Sequence, residues 1–355
     1  MSKKLKFGLP QTKFITKPTY DLSEETTFYE ELQKAEGLDL RDNRGKRHDL
    51  AFILLGVIMG LLRKRDGNLS SIHRSMVNTH DKLCKHLSVE IPNAVSRAQL
   101  PRILGKVNLL KFEQILFEHF TIELSEQEKQ WFAGDGKELR GSIEKGSKRG
   151  EVLVQLVRHK DGCVLGQSRY NGEKESEKPC LRNLIEAKNA QNQKITADAL
   201  HLNPLMTSMI EQGKGIFVIG LKENQKELLA DMKWHIKNHN PLASHSTVDK
   251  GHGRLEQRHY YHFDVSKEYF DKRWETTGFQ SLFKVVRHRT ILKNDEHSEE
   301  TAYYISNAKL SNKTECAVEY FCAIRNHWSV EVNNHIRDVS LSEDNLRTKK
   351  SLLQK

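Results

Sequence analysis

The sequence predicts an α/β protein, in which a mixed sheet with flanking helices follows an all-α N-terminal domain and is interrupted by a β-rich insertion. Three observations lead to this fold class. Apolar residues recur at three- and four-residue spacing up to about residue 124, which is typical of helices. Strands and helices then alternate as far as residue 220, which favours an α/β sheet. Strand-like runs without long helices between them fill residues 245–308.

The N-terminal region begins with a polar segment and a first helix, for which Ser23 is the expected N-cap. The apolar run Leu50–Leu62 has thirteen residues and contains two glycines. It is too short to cross a bilayer, so we predict a buried helix. Two further helices are predicted over Ser70–Leu87 and Ser96–Phe120, because their apolar residues recur at helical spacing.

After Trp131 the pattern changes to that of strands. The runs EVLVQLVRH and CVLGQSRY are separated by Lys-Asp-Gly at 160–162, which predicts a β-hairpin. Four more elements are predicted in chain order: a polar helix with the sequence EKPCLRNLIEAKNA, a strand over Lys194–Ala197, a helix over Pro204–Gln212 with Gly213 as its C-cap, and a buried strand over 215–220.

The last part of the chain combines strands with one long helix. The runs RLEQRHYYHFDV, SLFKVVRHRTIL and TAYYISNA predict the β-rich insertion. A helix is predicted over Lys313–Asp338, with Trp328 packed in the core. One face of this helix begins apolar and ends acidic; its members are Ala317, Phe321, Ile324, Trp328, Glu331, His335 and Asp338.

The composition favours a polyanionic partner. Lys and Arg number 57 against 47 Asp and Glu, which gives a net charge of +10. Nucleic acid is the first candidate and an anionic membrane surface the second. The five cysteines are odd in number and never spaced C-x-x-C, which argues against a disulfide framework and a zinc ribbon. The glycines at 213, 215 and 220 surround a strand, so they do not form a nucleotide-phosphate loop.

Three carboxylates are candidates for catalysis. Asp135 closes an apolar stretch in WFAGDGKELRGS, although an Asp-Gly turn alone explains it as well or better. Asp198 ends the strand in KITADALHL, where working groups gather in open α/β sheets, and it also suits a helix N-cap. Glu331 lies at the acidic end of the last helix, where the alternative is a surface ion pair with Arg325 or Arg337.

Two strand-end aspartates and one helix glutamate suit a two-metal site for phosphoryl transfer. Mg²⁺ prefers hard oxygen ligands, and two such ions can assist an in-line displacement at phosphorus. We therefore expect two Mg²⁺ ions as cofactors, with Mn²⁺ as a substitute. The basic excess would then hold the phosphate backbone.

The chain resembles the DDE-type insertion-sequence transposases of the ISAs branch, which includes the H-repeat-associated proteins. The resemblance rests on DGKELRGS, ITADALH, GLKENQ, HGRLEQR and IRNHWSVEVNNHIRDVSLSED in this order, and on the N-terminal DNRGKRHDLAFILLGVIMGLL. It covers nearly the whole chain. It implies an RNase H-like catalytic core with a β insertion before the last catalytic helix, and the triad Asp135, Asp198 and Glu331.

The sequence differs from the family pattern around the glutamate. The family usually has Glu-Asn there, whereas this chain has Glu331 followed by Val332. The tyrosine, arginine and lysine of the broader group would fall at Ile324, His327 and Asp338. These departures keep open two alternatives to an active transposase: a catalytically impaired relic that only binds DNA, and a metal-dependent nuclease without strand transfer.

The resemblance also implies a domain organisation and a set of DNA contacts. The predicted units are an arm with a first helix (1–38), a helical DNA-binding domain (39–125), the first part of the core (126–230), the β-rich insertion (231–308), the C-terminal core helix (309–345) and a tail (346–355). The candidate DNA-binding residues are Lys137, Arg140, His252, Arg254, Arg258, Arg325, Arg44, Arg47, Arg97 and Arg102. Solvated surface charge is the competing interpretation.

The function predicted is a DNA transposase that hydrolyses phosphodiesters at insertion-sequence ends and transfers the strand into target DNA. The expected partners are double-stranded terminal repeats and target DNA, bound by a homodimer, with neither a membrane nor a nucleotide cofactor. The expected location is the bacterial cytoplasm, at the nucleoid when DNA is bound.

Overall fold

The fold is described from a computed structural model. It covers residues 27–64, 68–120, 123–143, 149–170, 177–310 and 314–341. Ser23, Lys313, most of the predicted arm and the predicted tail lie outside these described residues.

Helices make up the N-terminal region: α1 (Phe28–Lys34), α2 (Leu50–Lys64), α3 (Leu69–Leu87), α4 (Leu100–Leu104) and α5 (Leu109–His119). The first helix begins one residue after Thr27, whose hydroxyl accepts a hydrogen bond from the Glu30 amide while the Glu30 carboxylate accepts one from the Thr27 amide. This reciprocal cap fixes the start of α1, so the N-cap is Thr27 and not Ser23.

The single helix predicted over Ser96–Phe120 is wrong, because α4 and α5 are separate. Gly105 caps the end of α4, and the Asn108 side chain accepts a hydrogen bond from Lys111 to start α5. Buried apolar side chains of α1 to α5 form a core of their own, in which α2 and α3 pack closely. The buried helix predicted at Leu50–Leu62 is confirmed by α2.

A nine-stranded mixed sheet forms the rest of the described fold. Its strands are β1 (Trp131–Glu138), β2 (Val152–Arg158), β3 (Val164–Tyr170), β4 (Lys194–Ala197), β5 (Ile216–Leu221), β6 (Ala243–Gly251), β7 (Arg254–Asp264), β8 (Ser281–Ile291) and β9 (Glu296–Ser306). The order is β3-β2-β1-β4-β5-β9-β8-β7-β6. Strands β1, β4 and β5 are parallel, and every other pairing is antiparallel.

The β-rich insertion therefore extends the sheet of the core. Its last strand, β9, pairs with β5 through Val218 and Ser306 at one end of the register. The hairpin predicted at 160–162, the strand over Lys194–Ala197 and the helix over Pro204–Gln212 are all confirmed.

Helices cover both faces of the sheet. They are α6 (Glu177–Ala187), α7 (Pro204–Gln212), α8 (Lys226–Asn238), α9 (Thr314–Asn326) and α10 (Ser329–His335). The core that contains α6, α7 and α8 lies on one face, and α9 and α10 pack on the other. The predictions missed α8, although its buried Leu228, Leu229 and Met232 have helical spacing. The predicted boundary at 230/231 falls inside this helix.

The long C-terminal helix predicted over Lys313–Asp338 is broken. Helix α9 ends at Asn326, α10 starts at Ser329, and a π-helical turn follows α10. Val330, which is outside the predicted face, is buried, whereas Trp328 lies in the break and is 56% exposed. The predicted continuous face and the core position of Trp328 are therefore wrong. No helix in the described ranges has the length and apolar character needed to cross a membrane.

We expect Gly215→Ala to destabilise the fold, because Gly215 lies in a close backbone crossing before β5. A Cβ atom there would lie 2.2 Å from the Gln191 carbonyl oxygen and 2.7 Å from that of Gln193. Backbone atoms cannot move aside as a flexible side chain can, so the expected loss of unfolding free energy is about 1–3 kcal/mol. The control is Gly251→Ala, where nothing lies within 4 Å. Equal urea midpoints for the two variants would contradict the expectation.

Candidate active site

Asp135 and Asp198 lie side by side on neighbouring parallel strands. The register pairs Gly134 of β1 with Ala197 of β4, and the two aspartates are the next residues along each strand. Neighbouring strands are about 4.8 Å apart, so the two carboxylates share one small region. Asp198 directly follows β4, as predicted. Strand β1 continues to Glu138, so the predicted strand end at Asp135 is wrong.

The side chain of Asp135 projects towards the face that α10 covers. Alternate residues of a strand share a face, which groups Asp135 with Ala133 and Lys137. Ala133 packs against Val330 of α10, and Lys137 forms an ion pair with Asp338 just beyond the helix. Asp135 therefore lies between two contacts that fix this helix on β1.

Asp198 combines two roles that the sequence left open. It shares the α10 face with Thr196, and its side chain is 47% exposed. Its carboxylate also accepts a hydrogen bond of 3.0 Å from the Leu200 amide, and so caps the short 3₁₀ turn that follows β4. The cap engages one oxygen of the Asp198 carboxylate, so the other oxygen can still accept a hydrogen bond or bind a cation.

Glu331 lies in the first turn of α10 and is exposed at its surface. The helix is held in place by buried Val330 and by a hydrogen bond of 2.8 Å from Asn333 Nδ2 to the Gly162 carbonyl. Partial burial raises the pKa of Glu331. This places a carboxylate on the flank of the helix that covers Asp135.

The three predicted carboxylates do not form a compact ligand set. One group of histidine, cysteine and acidic side chains in the described ranges has all its ligand atoms within 4.8 Å of one another. It consists of His235 on α8, His239 directly after α8, and Glu268 after β7.

The electrostatics of the aspartate pair favour a cation. Burial, and then the negative charge of Asp198, raise the pKa of Asp135 to about 7. Both carboxylates are therefore ionised together only at a cost, which a nearby positive charge would remove. The contacts of the described residues place no cationic side chain between the two carboxylates. Such a pair is a suitable donor set for a hard divalent ion.

Two buried side-chain oxygens, one on β2 and one on α10, also lack hydrogen-bond donors among the described residues. Gln155 pairs directly with Asp135 in the β1–β2 register, and its Oε1 has no partner among the described residues. Asn334 lies one helical turn after Val330 and one before Asp338, and its Oδ1 is likewise without a described partner. Buried oxygens without donors are costly, and a hydrated cation supplies both charge and donors. The residues present therefore fit Mg²⁺.

Two half-buried histidines lie beside Thr196, two residues before Asp198, and the sequence predicted neither as a site residue. Thr196 Oγ1 lies 2.9 Å from His159 Nε2 and 3.0 Å from His327 Nδ1. Burial lowers the pKa of His159 to about 3 and that of His327 to about 4. Both imidazoles are therefore neutral at pH 7 and add no positive charge beside the aspartates.

The candidate DNA-binding residues of the insertion occupy different environments. His252, predicted on a strand, instead lies in the turn between β6 and β7 with φ of 49°. Arg254 and Arg258 are on β7, as predicted, and both pair with Glu256. Arg258 is only 8% exposed and also pairs with Asp249 at 2.9 Å. The geometry gives Arg258 a structural role in the sheet.

We expect Arg258→Ala to destabilise the protein by about 2 kcal/mol, because it removes the least exposed cationic partner of Glu256 and Asp249. The two carboxylates keep the more exposed Arg254 and Arg325, which limits the loss. Arg102→Ala, on the exposed surface of α4, is the control and is expected to change the unfolding free energy by less than about 0.5 kcal/mol. Guanidinium chloride denaturation measures both. If Arg258→Ala unfolds at the wild-type midpoint, the structural role is wrong.

The other basic candidates differ in their surroundings. Lys137 pairs with Asp338, and Arg325 pairs with Asp249 of β6 at 2.9 Å. The exposed candidates are Arg44, Arg47, Arg97, Arg102 and Arg140. A role in DNA binding stays a prediction for all of them.

Comparison with known proteins finds relatives that are 28% identical over 259 residues. They include the H repeat-associated putative transposase YhhI and the putative protein YbfL of Escherichia coli K12, and the putative transposase YncI of Escherichia coli O157:H7. The match covers 71% of this chain and 67%, 67% and 65% of those relatives, so it spans about two thirds of their length. No protein-family model matches the chain. The chain is therefore similar to the H repeat-associated putative transposase and to the other relatives named with it.

Proposed function

We propose that the protein is a DNA transposase that cuts phosphodiesters at the ends of its own element and joins the freed strand to target DNA. One observation carries the proposal: Asp135 and Asp198 lie adjacent on parallel strands, beneath a helix that bears a third carboxylate, Glu331. The names of the relatives support it.

The sheet topology supports an RNase H-like core. Strands β3, β2 and β1 are consecutive and antiparallel, and β4 and β5 then add in parallel to β1. The first aspartate is on the central strand β1, and the second follows β4. This is the arrangement that the resemblance implies for the catalytic core, with the insertion added beyond β5.

Asp135 and Asp198 would hold Mg²⁺, with Glu331 as the third ligand from α10. When bound, the metal would supply positive charge that stabilises the negative charge on the phosphoryl oxygens during displacement. It would also make a water or 3′-hydroxyl a better nucleophile. The protein's own part is positioning: the capped turn fixes Asp198, and the contacts of Val330 and Asp338 fix α10 over Asp135. Phosphoryl transfer of this kind depends on placement and charge, so no covalent enzyme intermediate is needed.

DNA binding is proposed for the basic surface, because the chain has a net charge of +10 and five exposed arginines among its candidates. Binding of phosphates by such side chains weakens steeply with salt. A homodimer that holds two element ends remains a prediction, and light scattering of the protein–DNA complex measures it.

The test uses a labelled duplex that carries the terminal inverted repeats flanking the gene, together with a plasmid target. We expect Mg²⁺-dependent nicks at the repeat end and joined products in the plasmid, and neither with a scrambled duplex. Salt-sensitive binding without nicks would support the impaired relic instead. Nicks without joined products would support a nuclease.

A further inference from the structure

A half-buried glutamate and a fully buried histidine lie behind the aspartate pair. Glu177 is the first residue of α6, and His201 ends the 3₁₀ turn that Asp198 caps. His201 Nε2 lies 3.5 Å from Glu177 Oε1 and 3.8 Å from Asp198 Oδ1. Tyr170 donates a hydrogen bond of 3.0 Å to the other oxygen of Glu177. His201 thus faces both carboxylates with one ring nitrogen, at distances that suit an electrostatic contact and are too long for a good hydrogen bond.

Glu177 reaches this place because β1 has a glycine beside it. A Cβ atom on Gly136 would lie 2.8 Å from Glu177 Oε1. Gly136 follows Asp135 and projects to the opposite face of the sheet, the face that α6 covers. The Asp-Gly pair therefore places a catalytic carboxylate on one face and makes room for a second carboxylate on the other.

The burial of His201 lowers the stability of the fold if this residue serves packing alone. His201 is completely buried, and neither of its ring nitrogens has a hydrogen-bond partner among the described residues. A buried polar ring without partners costs free energy that an apolar side chain of similar size would not. The His201 ring holds the pKa of Glu177 below its usual range, so the two are electrostatically coupled. Glu177 in turn is one of the charges that act on Asp135.

We propose that Glu177 and His201 are positioning residues of the acidic site, which hold the Asp198 carboxylate beside Asp135 in the orientation that Mg²⁺ binding requires. This inference rests on the proposed function, because it assumes that the aspartates bind a metal. The groups that orient a metal's ligands usually contribute a factor of about 10–100 to its affinity. Glu177 acts through His201, and His201 acts on Asp198; neither is assigned to the metal or to DNA.

The experiment compares Glu177→Gln and His201→Gln with wild type. Both replacements keep a polar side chain of similar size, so the fold is expected to survive. The matched control is Glu31→Gln, which makes the same change beside another histidine: Glu31 lies 3.1 Å from His119 Nδ1 in the helical region. Mg²⁺ affinity is measured from the rise of the thermal unfolding midpoint with Mg²⁺ concentration. Mg²⁺ favours oxygen ligands, so the His235 group should not contribute to this signal.

We expect both site variants to bind Mg²⁺ at least about tenfold more weakly than wild type, and Glu31→Gln to bind it normally. In the nicking assay, added Mg²⁺ should restore most of the lost rate, which a general packing defect would not allow. Site variants with wild-type Mg²⁺ affinity would overturn the inference, and so would a wild-type protein that binds no Mg²⁺. Weakened Mg²⁺ binding in a protein that never nicks DNA would support the inference and count against the proposed reaction.

Discussion

Asp135→Asn and Asp198→Asn are each expected to slow metal-dependent nicking of element-end DNA by about a thousandfold. Charge stabilisation by a bound metal is worth several kcal/mol, and about 4 kcal/mol corresponds to this factor. Each substitution removes one of the two adjacent carboxylates that β1 and β4 bring together. The amide is nearly the same size, so the packing of α10 on β1 should remain.

The controls separate loss of chemistry from loss of structure. Asp231→Asn makes the same change at an exposed position on α8 and should nick DNA at the wild-type rate. All three variants should bind element-end DNA with the wild-type salt dependence, measured by fluorescence anisotropy, because the aspartates are not phosphate contacts. Full activity of Asp135→Asn would remove these carboxylates from the mechanism.

The local sequence was enough to predict the strand before Asp198 and the helix after it. The strand over Lys194–Ala197 is a short run with two β-branched residues, and the helix over Pro204–Gln212 has a proline at its start and a glycine after its end. Both signals lie within the segment itself. The register of β4 against β1 then brings Asp135 alongside, although Asp135 lies in the middle of a strand that continues to Glu138.

What the sequence did not predict depends on partners far along the chain. The insertion joins the core sheet because β9 pairs with β5, and no local pattern identifies a strand's partner. Helix α9 ends before His327, whose ring faces Thr196 of β4. The family motif contains His201, but its relation to Glu177 appears only when α6 packs behind β1.

Asp135→Asn is also expected to stabilise the metal-free protein at pH 8, by up to about 4 kcal/mol. The pKa of Asp135 is raised from 3.8 to about 7, first by burial and then by Asp198. One pKa unit corresponds to about 1.4 kcal/mol. Above pH 7 Asp135 is ionised in both states of the wild type, and its charge is less favourable in the fold than in the unfolded chain. The asparagine carries no charge in either state.

The sign of the pH dependence follows from proton binding. Below about pH 4 Asp135 is protonated in both states, so its ionisation costs the fold nothing. As the pH rises from about 4 to 7 the unfolded state loses its proton first, and the wild type loses stability relative to the variant. Above about pH 7 the difference is constant. Urea denaturation of both proteins at pH 4, 6 and 8 without metal measures this, and a difference that does not grow with pH contradicts it.

Mg²⁺ should reverse the order of stability. In the proposed site the metal would bind the ionised aspartates, so its affinity for wild type should rise with pH through about 7, as protons leave Asp135. Saturating Mg²⁺ should therefore stabilise wild type much more than Asp135→Asn at pH 8, and Asp231→Asn should follow wild type. An acidic pair that weakens the metal-free fold and is stabilised by Mg²⁺ would show the trade-off between stability and activity that is common at functional sites. Equal Mg²⁺ stabilisation of wild type and Asp135→Asn would show that the strain at Asp135 does not serve metal binding.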